Sequence, residues 1–236
     1  MTERGRSALH RTRDTLNIGP SRLHWNGQAL ELALDELAVP MPGRVRGTVR
    51  IVPQCLPARE FILDRSGHHI WQPVAPMARA EIRLSSPDLH WTGHAYFDHN
   101  RGIEPLEDGF KSWDWSRQNT GNSARILYDV VTRNGASEIL AVEVTKDGRI
   151  SHFDSPPRAD LPPAFWRVSR TTRCDGGAPA AVVQTLEDAP FYTRSLIRSS
   201  INGDKSLSVH ESVDLDRFRS PIVQAMLPFK MPRRTF

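Results

Sequence analysis

The sequence predicts an all-β fold, a sandwich or barrel of antiparallel strands with little helix, and three observations support this prediction. Short runs of alternating apolar and polar residues recur along the chain. Turn-forming pairs such as Asn-Gly separate these runs about every ten residues, as in proteins built from many short strands. Only Ser220–Leu227 has a helical pattern, and it is short. With 236 residues, 39% of them hydrophobic, the chain can bury the core of one large β domain or of two small ones.

The chain opens with residues 1–14, which are charged and patternless and for which we predict a flexible lead-in. Arg22–Trp25 and Gln28–Leu34 flank Asn26-Gly27, the pattern of a hairpin closed by a type I′ turn. Pro40–Gly43 is predicted to end this hairpin. The strands predicted next are, in order, Val45–Pro53, His69–Gln72, Ala78–Ser85 and Leu89–Gly102, with an irregular segment at 53–68.

The second half of the chain also has the pattern of short strands. Phe110–Arg117 is predicted to be a strand because two tryptophans bracket Asp114 with a period of two. The pair Asn134-Gly135 predicts a second hairpin, and Asn202–Asp204 predicts a third. The remaining predicted strands are Ala124–Arg133, Ala136–Thr145, Arg149–Phe153, Phe165–Thr172, Ala180–Glu187, Phe191–Ile201 and Leu207–Asp214.

The charge distribution and the cysteine content indicate in which cellular compartment the protein works and which kinds of partner it binds. The net charge is +4, but basic and acidic residues are interspersed, without the basic stripe that indicates nucleic-acid binding. Cys55 and Cys174 are far apart in no paired spacing, which favours a reducing compartment. The first residues lack the apolar core of a signal peptide, and no apolar run is long enough to span a bilayer. We therefore predict a cytoplasmic protein. Basic residues near its ends favour peripheral contact with an anionic inner membrane: Arg4, Arg6, Arg11, Arg13, Lys230, Arg233 and Arg234.

No cofactor is expected from the motifs in the sequence. A Gly-rich strand-to-helix turn for phosphate and a Gly-x-Ser-x-Gly elbow for a serine nucleophile are both missing. His90, His94 and Asp98 are spaced by four residues, but four residues of a strand span ~13 Å. Zinc holds its donors at about 2.3 Å or less, so these three side chains could not share one ion.

The stretch Leu89–Gly102 has an unusual distribution of polar residues for a strand. Alternation places Tyr96 and Asp98 on one face and apolar residues, among them Phe97, on the other. His69 and Trp71 are two residues apart in another predicted strand. If the two polar faces line one cavity, an acid, an imidazole and two aromatic rings converge there. We therefore hypothesise a site built from these two strands.

These residues lie within longer motifs that resemble the carotenoid 1,2-hydratases, also called hydroxyneurosporene synthases. The motifs are GHAYFDHNRG at 93–102 and WDWSR at 113–117. The likeness extends from Leu23–Trp25 and Pro42–Gly47 to Phe218–Phe229. The resemblance implies a lipocalin-like β architecture and the addition of water to the terminal C1–C2 double bond of acyclic carotenoids such as neurosporene and lycopene. Because members of the family usually carry a further N-terminal β domain, residues 1–54 are expected to be a remnant of it. Residues 55–236 would then be the lipocalin-like domain that carries the catalytic residues.

The resemblance also implies roles for four residues: His69, Trp71, Tyr96 and Asp98. Asp98 would protonate C2, which requires apolar surroundings in which a carboxylic acid keeps its proton. The faces of the two aromatic rings would stabilise the resulting cation at C1, and His69 would deprotonate the attacking water. No cofactor is needed for these steps. Three further aromatic residues are expected to line the substrate site: Phe97, Trp113 and Trp115.

Two other interpretations stay open. The chain could be a non-catalytic lipocalin-like module that binds isoprenoids or lipids, with the same residues lining its pocket. It could also be a β-sandwich interaction domain, in which Asp98 would be exposed or paired with Arg101.

Overall fold

The structure is a computed structural model that describes residues 4–38, 43–176 and 179–227. Most of these residues lie in antiparallel strands, and the α-helices among them have only four to six residues each. The predicted all-β class is therefore confirmed. The chain forms two compact units. The first comprises the described residues up to Leu56, Val74–Phe97 and Leu227, and the second comprises Pro57–Pro73 and the described part of Asp98–Met226. The predicted boundary between residues 54 and 55 stays a prediction.

The first unit is built from hairpins that follow one another along the chain. Its strands are β1 (Leu9–Arg11), β2 (Thr15–Ile18), β3 (Ser21–Trp25), β4 (Leu30–Ala38) and β5 (Gly43–Pro53). Two long strands, β7 (His69–Ser86) and β8 (Asp88–Gly102), contribute residues to both units. Together with the two-residue β6 (Phe61–Ile62), the strands pair in the order β1-β2-β3-β4-β5-β7-β6, and β8 pairs with β7.

The lead-in predicted for residues 1–14 is wrong over residues 6–11. Arg6–Ala8 forms a 3₁₀ turn, and β1 pairs with β2 from Leu9 opposite Ile18 to Arg11 opposite Leu16. The side chains of β1 are all exposed, so a charged composition is compatible with an edge strand. Residues 1–3, and residues 39–42 of the predicted stop at Pro40–Gly43, lie outside the described residues.

The first hairpin is confirmed, but its turn is not the predicted type I′. Asn26 donates its backbone N–H to the carbonyl of Ala29, which leaves Gly27 and Gln28 as the two loop residues. Only Gly27 has a positive φ, +93°, whereas a type I′ turn requires positive φ at both loop residues. Asn26 instead accepts the backbone N–H groups of Gln28 and Ala29 through its side-chain oxygen.

The two strands predicted at His69–Gln72 and Ala78–Ser85 are one strand, β7. Pro73 and Pro76 lie between the two predicted segments, and proline cannot donate to a ladder. Both prolines lie between the segments of β7 that pair with β6, up to Trp71, and with β5, from Ala78 onward. Along this edge their missing N–H groups therefore interrupt no ladder.

The second unit contains a seven-stranded antiparallel sheet in the order β12-β11-β10-β9-β17-β16-β15, and a separate pair, β13-β14. Its strands are β9 (Phe110–Asn119), β10 (Ser123–Thr132), β11 (Ser137–Thr145), β12 (Ile150–His152), β13 (Arg158–Asp160), β14 (Thr171–Arg173), β15 (Ala181–Ala189), β16 (Tyr192–Ile201) and β17 (Asp204–Asp214). The helices are α1 (Leu106–Gly109), α2 (Leu215–Phe218) and α3 (Pro221–Met226).

Most predictions for this part of the chain are confirmed. The hairpins at Asn134-Gly135 and Asn202–Asp204 are present, and both Asn202 and Gly203 have positive φ, as a type I′ turn requires. The predicted helix at Ser220–Leu227 corresponds to α3. The strand predicted at Phe165–Thr172 is wrong, because only Thr171–Arg173 is extended and paired. Phe165 and Trp166 lie instead in a loop, where the centroids of their rings are 5.5 Å apart.

The two faces of the seven-stranded sheet differ in chemistry. Directly opposed residues share a face, and β9 pairs with β10 through Trp115 opposite Tyr128 and Trp113 opposite Val130. These side chains form an aromatic and apolar face. Asp114 points to the opposite face, where it accepts hydrogen bonds from the hydroxyl groups of Ser212 and Thr171. Alternation along β9 thus separates the tryptophans of the WDWSR motif from the aspartate between them.

Candidate active site

Trp71 and Asp98 form the central contact of the candidate site. The indole Nε1–H of Trp71 donates to the Oδ2 atom of Asp98 over 2.8 Å. Trp71 is fully buried, and Asp98 is partly buried. Arg101 forms an ion pair with Glu60 at 2.6 Å, which is not the pairing expected of an interaction domain. A carboxyl group held by a buried indole has one oxygen fixed in place.

The indole of Trp71 lies among other aromatic rings. Phe61, directly opposite on β6, has its ring centroid 5.5 Å away, and Tyr128 of β10 has its ring 5.8 Å away in an edge contact. Trp113 continues the cluster at 6.2 Å from Tyr128. The quadrupoles of such rings favour edge contacts and can stabilise a nearby cation on their faces. The surroundings of Asp98 on this side are therefore apolar and rich in π-electrons.

Tyr128 brings a phenol to this cluster. It is 5% exposed, and burial, followed by the negative charge of the Asp98 carboxylate, raises the pKa of Tyr128. The phenol therefore remains neutral in the folded protein well above neutral pH. An open pocket of about 220 Å³ adjoins this residue. Its lining combines apolar and charged side chains: Ile62, Leu63, Asp64, Arg65, Val130, Glu138, Ile139 and Leu140.

His69 lies two residues before Trp71 in β7 and is 1% exposed. The centroid of its ring lies 4.6 Å from that of Phe110 in a tilted contact, and neither ring nitrogen has a hydrogen-bond partner among the described residues. Two glycines enclose the ring. A Cβ at Gly109 would overlap with Cε1 of His69, and a Cβ at Gly102 would lie 2.8 Å from Cδ2. The imidazole is thus sterically confined but keeps its hydrogen-bonding capacity unused.

The other predicted site residues lie on the strands expected for them. Tyr96 precedes Asp98 by two residues in β8, is partly buried and belongs to the first unit. Phe97, 39% exposed, alternates to the opposite face of that strand. In the second unit, Trp113 contacts Phe110 and Tyr128, and Trp115 is buried directly opposite Tyr128. The roles predicted for these residues stay predictions.

Sequence reasoning missed several members of the cluster, above all Phe61, Phe110 and Tyr128. A signal for Tyr128 was present, because it stands between Ile126 and Val130 in a period-two run and so brings a lone hydroxyl to an apolar face. Phe61 gave no such signal, because its two-residue strand is too short for a pattern.

Neither a metal centre nor a membrane-spanning helix is found in the described ranges. No three histidine, cysteine or acidic side chains come together there as they would around a metal ion. None of the helices in these ranges is long and apolar enough to cross a bilayer. Contact with a membrane surface stays a prediction, and three of the basic residues that suggested it lie outside the described ranges: Lys230, Arg233 and Arg234.

Comparison with known proteins relates the whole chain to one family. A family model described as "Carotenoid hydratase CrtC" matches residues 1–236. The acyclic carotenoid 1,2-hydratase of Thiocapsa roseopersicina is 50% identical over 234 residues, which cover 99% of this chain and 58% of the relative. The enzyme of the same name from Rubrivivax gelatinosus is 46% identical and is also covered over 58% of its length. That of Rhodobacter capsulatus is 41% identical, and 84% of it is covered.

Among solved structures, a putative AttH protein from Nitrosomonas europaea superposes with a TM-score of 0.53 at 12% sequence identity. The superposition covers 88% of this chain and 72% of that protein. At this level of identity the likeness concerns the fold alone. The chain spans 58% of the length of the hydratases from Thiocapsa roseopersicina and Rubrivivax gelatinosus.

Proposed function

We propose that this chain, which belongs to the carotenoid hydratase CrtC family, adds water across the terminal C1–C2 double bond of acyclic carotenoids such as neurosporene and lycopene. The observation that carries the proposal is the hydrogen bond between Trp71 and Asp98 inside an aromatic cluster. Hydration of an isolated alkene needs a strong acid close to it and a stabilised cation afterwards. A carboxyl group beside a cluster of aromatic rings would supply both.

Asp98 is the proposed acid. Its Oδ2 atom accepts the indole N–H, so the proton given to the alkene would be carried on Oδ1. Transfer of this proton to C2 forms a C–H bond, and the double-bond electrons that make it leave a tertiary cation at C1. The carboxylate that results is held in place by the same indole N–H.

The cation at C1 would be stabilised by the π-faces around it. The indole of Trp71 contacts the acid directly, and Tyr96 lies two residues before Asp98 in the same strand. A desolvated cation–π contact contributes about 2 kcal/mol, which corresponds to a rate factor of about thirty. Tyr128 adds a third ring in edge contact with Trp71.

His69 is the proposed base for water. Its buried imidazole has no hydrogen-bond partner among the described residues, so it can accept a proton from a water molecule that attacks C1. The new C–O bond completes the tertiary alcohol. The proton left on His69 returns to Asp98 through solvent, which restores the acid without consuming any other reactant.

Expression of this chain in a host that makes lycopene or neurosporene tests the proposal. Chromatography of the extracted pigments should show 1-hydroxy products with the unaltered chain and none with His69→Phe. In this variant an aromatic ring still fills the position, but it has no basic nitrogen. Accumulation of bound, unhydrated pigment by the unaltered chain would instead favour the non-catalytic isoprenoid-binding module.

A further inference from the structure

His69 is buried beside two carboxylates, and both lie on the same side of its ring. Its Nδ1 atom is 3.7 Å from Oδ1 of Asp64 and 3.9 Å from Oε1 of Glu104. The ring of Phe110 and the backbone at Gly102 and Gly109, which also lie against the imidazole, carry no charge. The position of the carboxylates therefore determines which ring nitrogen carries the proton.

A neutral imidazole has one N–H donor and one lone pair. Two negative charges near Nδ1 attract an N–H there and repel a lone pair, so the proton belongs on Nδ1. The Nε2 atom then keeps its lone pair. It faces Gly102, where a Cβ would lie only 3.2 Å away, so any side chain at this position would crowd Nε2.

The two carboxylates differ in how firmly they are held. Asp64 is 6% exposed and accepts hydrogen bonds from the backbone N–H of His69 at 2.8 Å, from that of His68 and from the hydroxyl of Ser66. Burial acts to raise the pKa of Asp64, but these hydrogen bonds and the nearby His69 outweigh it, so that the pKa is lowered. The side chain of Glu104 is 33% exposed and lies closer to His68, at 3.3 Å from its Nδ1 atom.

We propose that Asp64 is the positioning residue of His69, holding its Nδ1–H so that Nε2 is the nitrogen that accepts the proton of the attacking water. This inference rests on the proposed function, because it assigns a partner to the base of that reaction. The distance of 3.7 Å is longer than a hydrogen bond. Catalytic contacts of this kind are often long in the free protein and shorten when substrate binds.

A simpler role for Asp64 is to hold the turn before β7, since it accepts two backbone N–H groups there. Asp64→Asn separates the two roles, because an asparagine oxygen still accepts the backbone N–H groups while the negative charge is lost. Glu104→Gln is the matched control, with a carboxylate removed at nearly the same distance from Nδ1. Asp64→Glu restores the charge in a longer side chain.

Nitrogen-15 NMR of the imidazoles in the intact chain reads the proton position without requiring catalysis. The His69 signals, identified by their loss in His69→Phe, should show one tautomer with Nδ1 protonated in the unaltered chain and in Glu104→Gln. Asp64→Asn should give a mixture of both tautomers. A His69 protonated at Nε2 in the unaltered chain would overturn the proposal. An unchanged tautomer in folded Asp64→Asn would overturn it as well.

The pH dependence of hydration supplies the second readout. Loss of the negative charge destabilises the imidazolium, so the acid limb of the rate profile should move to lower pH in Asp64→Asn and stay in place in Glu104→Gln. The rate at the optimum should fall about tenfold or more in Asp64→Asn, as when the aspartate that orients a catalytic histidine is replaced, and recover in part in Asp64→Glu. A rate that falls without movement of the acid limb would assign Asp64 to the turn alone. If the chain hydrates nothing but His69 shows the Nδ1–H tautomer that Asp64→Asn disturbs, the proposed function fails and the positioning role stands.

Discussion

The indole of Trp71 donates its Nε1–H to the carboxyl of Asp98 over 2.8 Å, and this bond joins β7 to the last residues of β8 within the second unit. The two residues are 27 positions apart, so the bond depends on the fold and not on the local sequence. By holding Oδ2, it restricts the orientation of the whole planar carboxyl group, Oδ1 included. The proposed proton transfer depends on this orientation.

Trp71→Phe tests the bond itself. The substitution keeps an aromatic face for the cation and removes only the N–H donor and part of the ring. We expect pigment binding to persist and the yield of 1-hydroxy product to fall about tenfold, the rate equivalent of one lost side-chain hydrogen bond. Trp166→Phe, in a loop whose ring packs on Phe165, is the control and should leave the yield unchanged. Full hydration by Trp71→Phe would show that Asp98 needs no such support.

Tyr128→Phe tests the buried phenol through stability at alkaline pH. Burial and the charge of Asp98 raise the pKa of Tyr128, whereas a tyrosine in the unfolded chain ionises near pH 10. The folded state therefore loses stability as pH rises above about 10, by about 1.4 kcal/mol per pH unit from this group. The free energy of unfolding of Tyr128→Phe, measured with urea across this pH range, should decline less steeply by that amount. If the free energy of unfolding declined equally steeply with pH in both proteins, Tyr128 would not have a raised pKa in the folded state.

Gly109→Ala tests the confinement of His69. Alanine in place of glycine ordinarily stabilises a helix by up to about 1 kcal/mol, but here the added Cβ would lie 2.9 Å from Nδ1 of His69 and overlap with Cε1. We expect the ring to be displaced and hydration to fall, with the circular dichroism spectrum unchanged. Gly176→Ala adds the same methyl group where nothing lies within 4 Å and should leave hydration intact. Equal activity of the two variants would mean that the ring position does not matter.

Asp114→Ala tests the separation of the two sheet faces. Asp114 accepts the hydroxyl groups of Ser212 and Thr171 on the polar face, away from Trp113 and Trp115. Its removal leaves two largely buried donors unsatisfied, which should lower the free energy of unfolding by about 2–4 kcal/mol. The product pattern of the protein that remains folded should not change. A selective loss of hydration with normal stability would place Asp114 in the active site instead.

The all-β class and most strands could be predicted from the sequence because alternation and Asn-Gly turns act locally. Asn202-Gly203 and Asn134-Gly135 mark hairpins through their backbone preferences alone. The continuity of β7 through Pro73 and Pro76 could not be predicted, because it depends on where the neighbouring strands pair. The edge strand β1 was missed for a related reason, since its residues are all exposed and carry no apolar alternation.

The candidate site could be predicted in part. Alternation places His69 beside Trp71 in β7 and Tyr96 beside Asp98 in β8, and the family resemblance singled out the same four residues. The meeting of Trp71 with Asp98 was only a hypothesis before the structure, because no local pattern specifies a contact between distant strands. Asp64 gave no signal as a neighbour of His69, since its position depends on the turn that joins β6 to β7.

The most direct test of Asp98 as the proton donor is the product formed by Asp98→Asn in a host that makes acyclic carotenoids. Asparagine keeps an oxygen that can accept the indole N–H but has no acidic proton to give to C2. Asp88→Asn, an exposed residue at the start of the same strand, is the control. We predict that Asp98→Asn binds pigment and forms no 1-hydroxy carotenoid, whereas Asp88→Asn forms as much as the unaltered chain. Hydration by Asp98→Asn at the level of the unaltered chain would contradict the proposed mechanism.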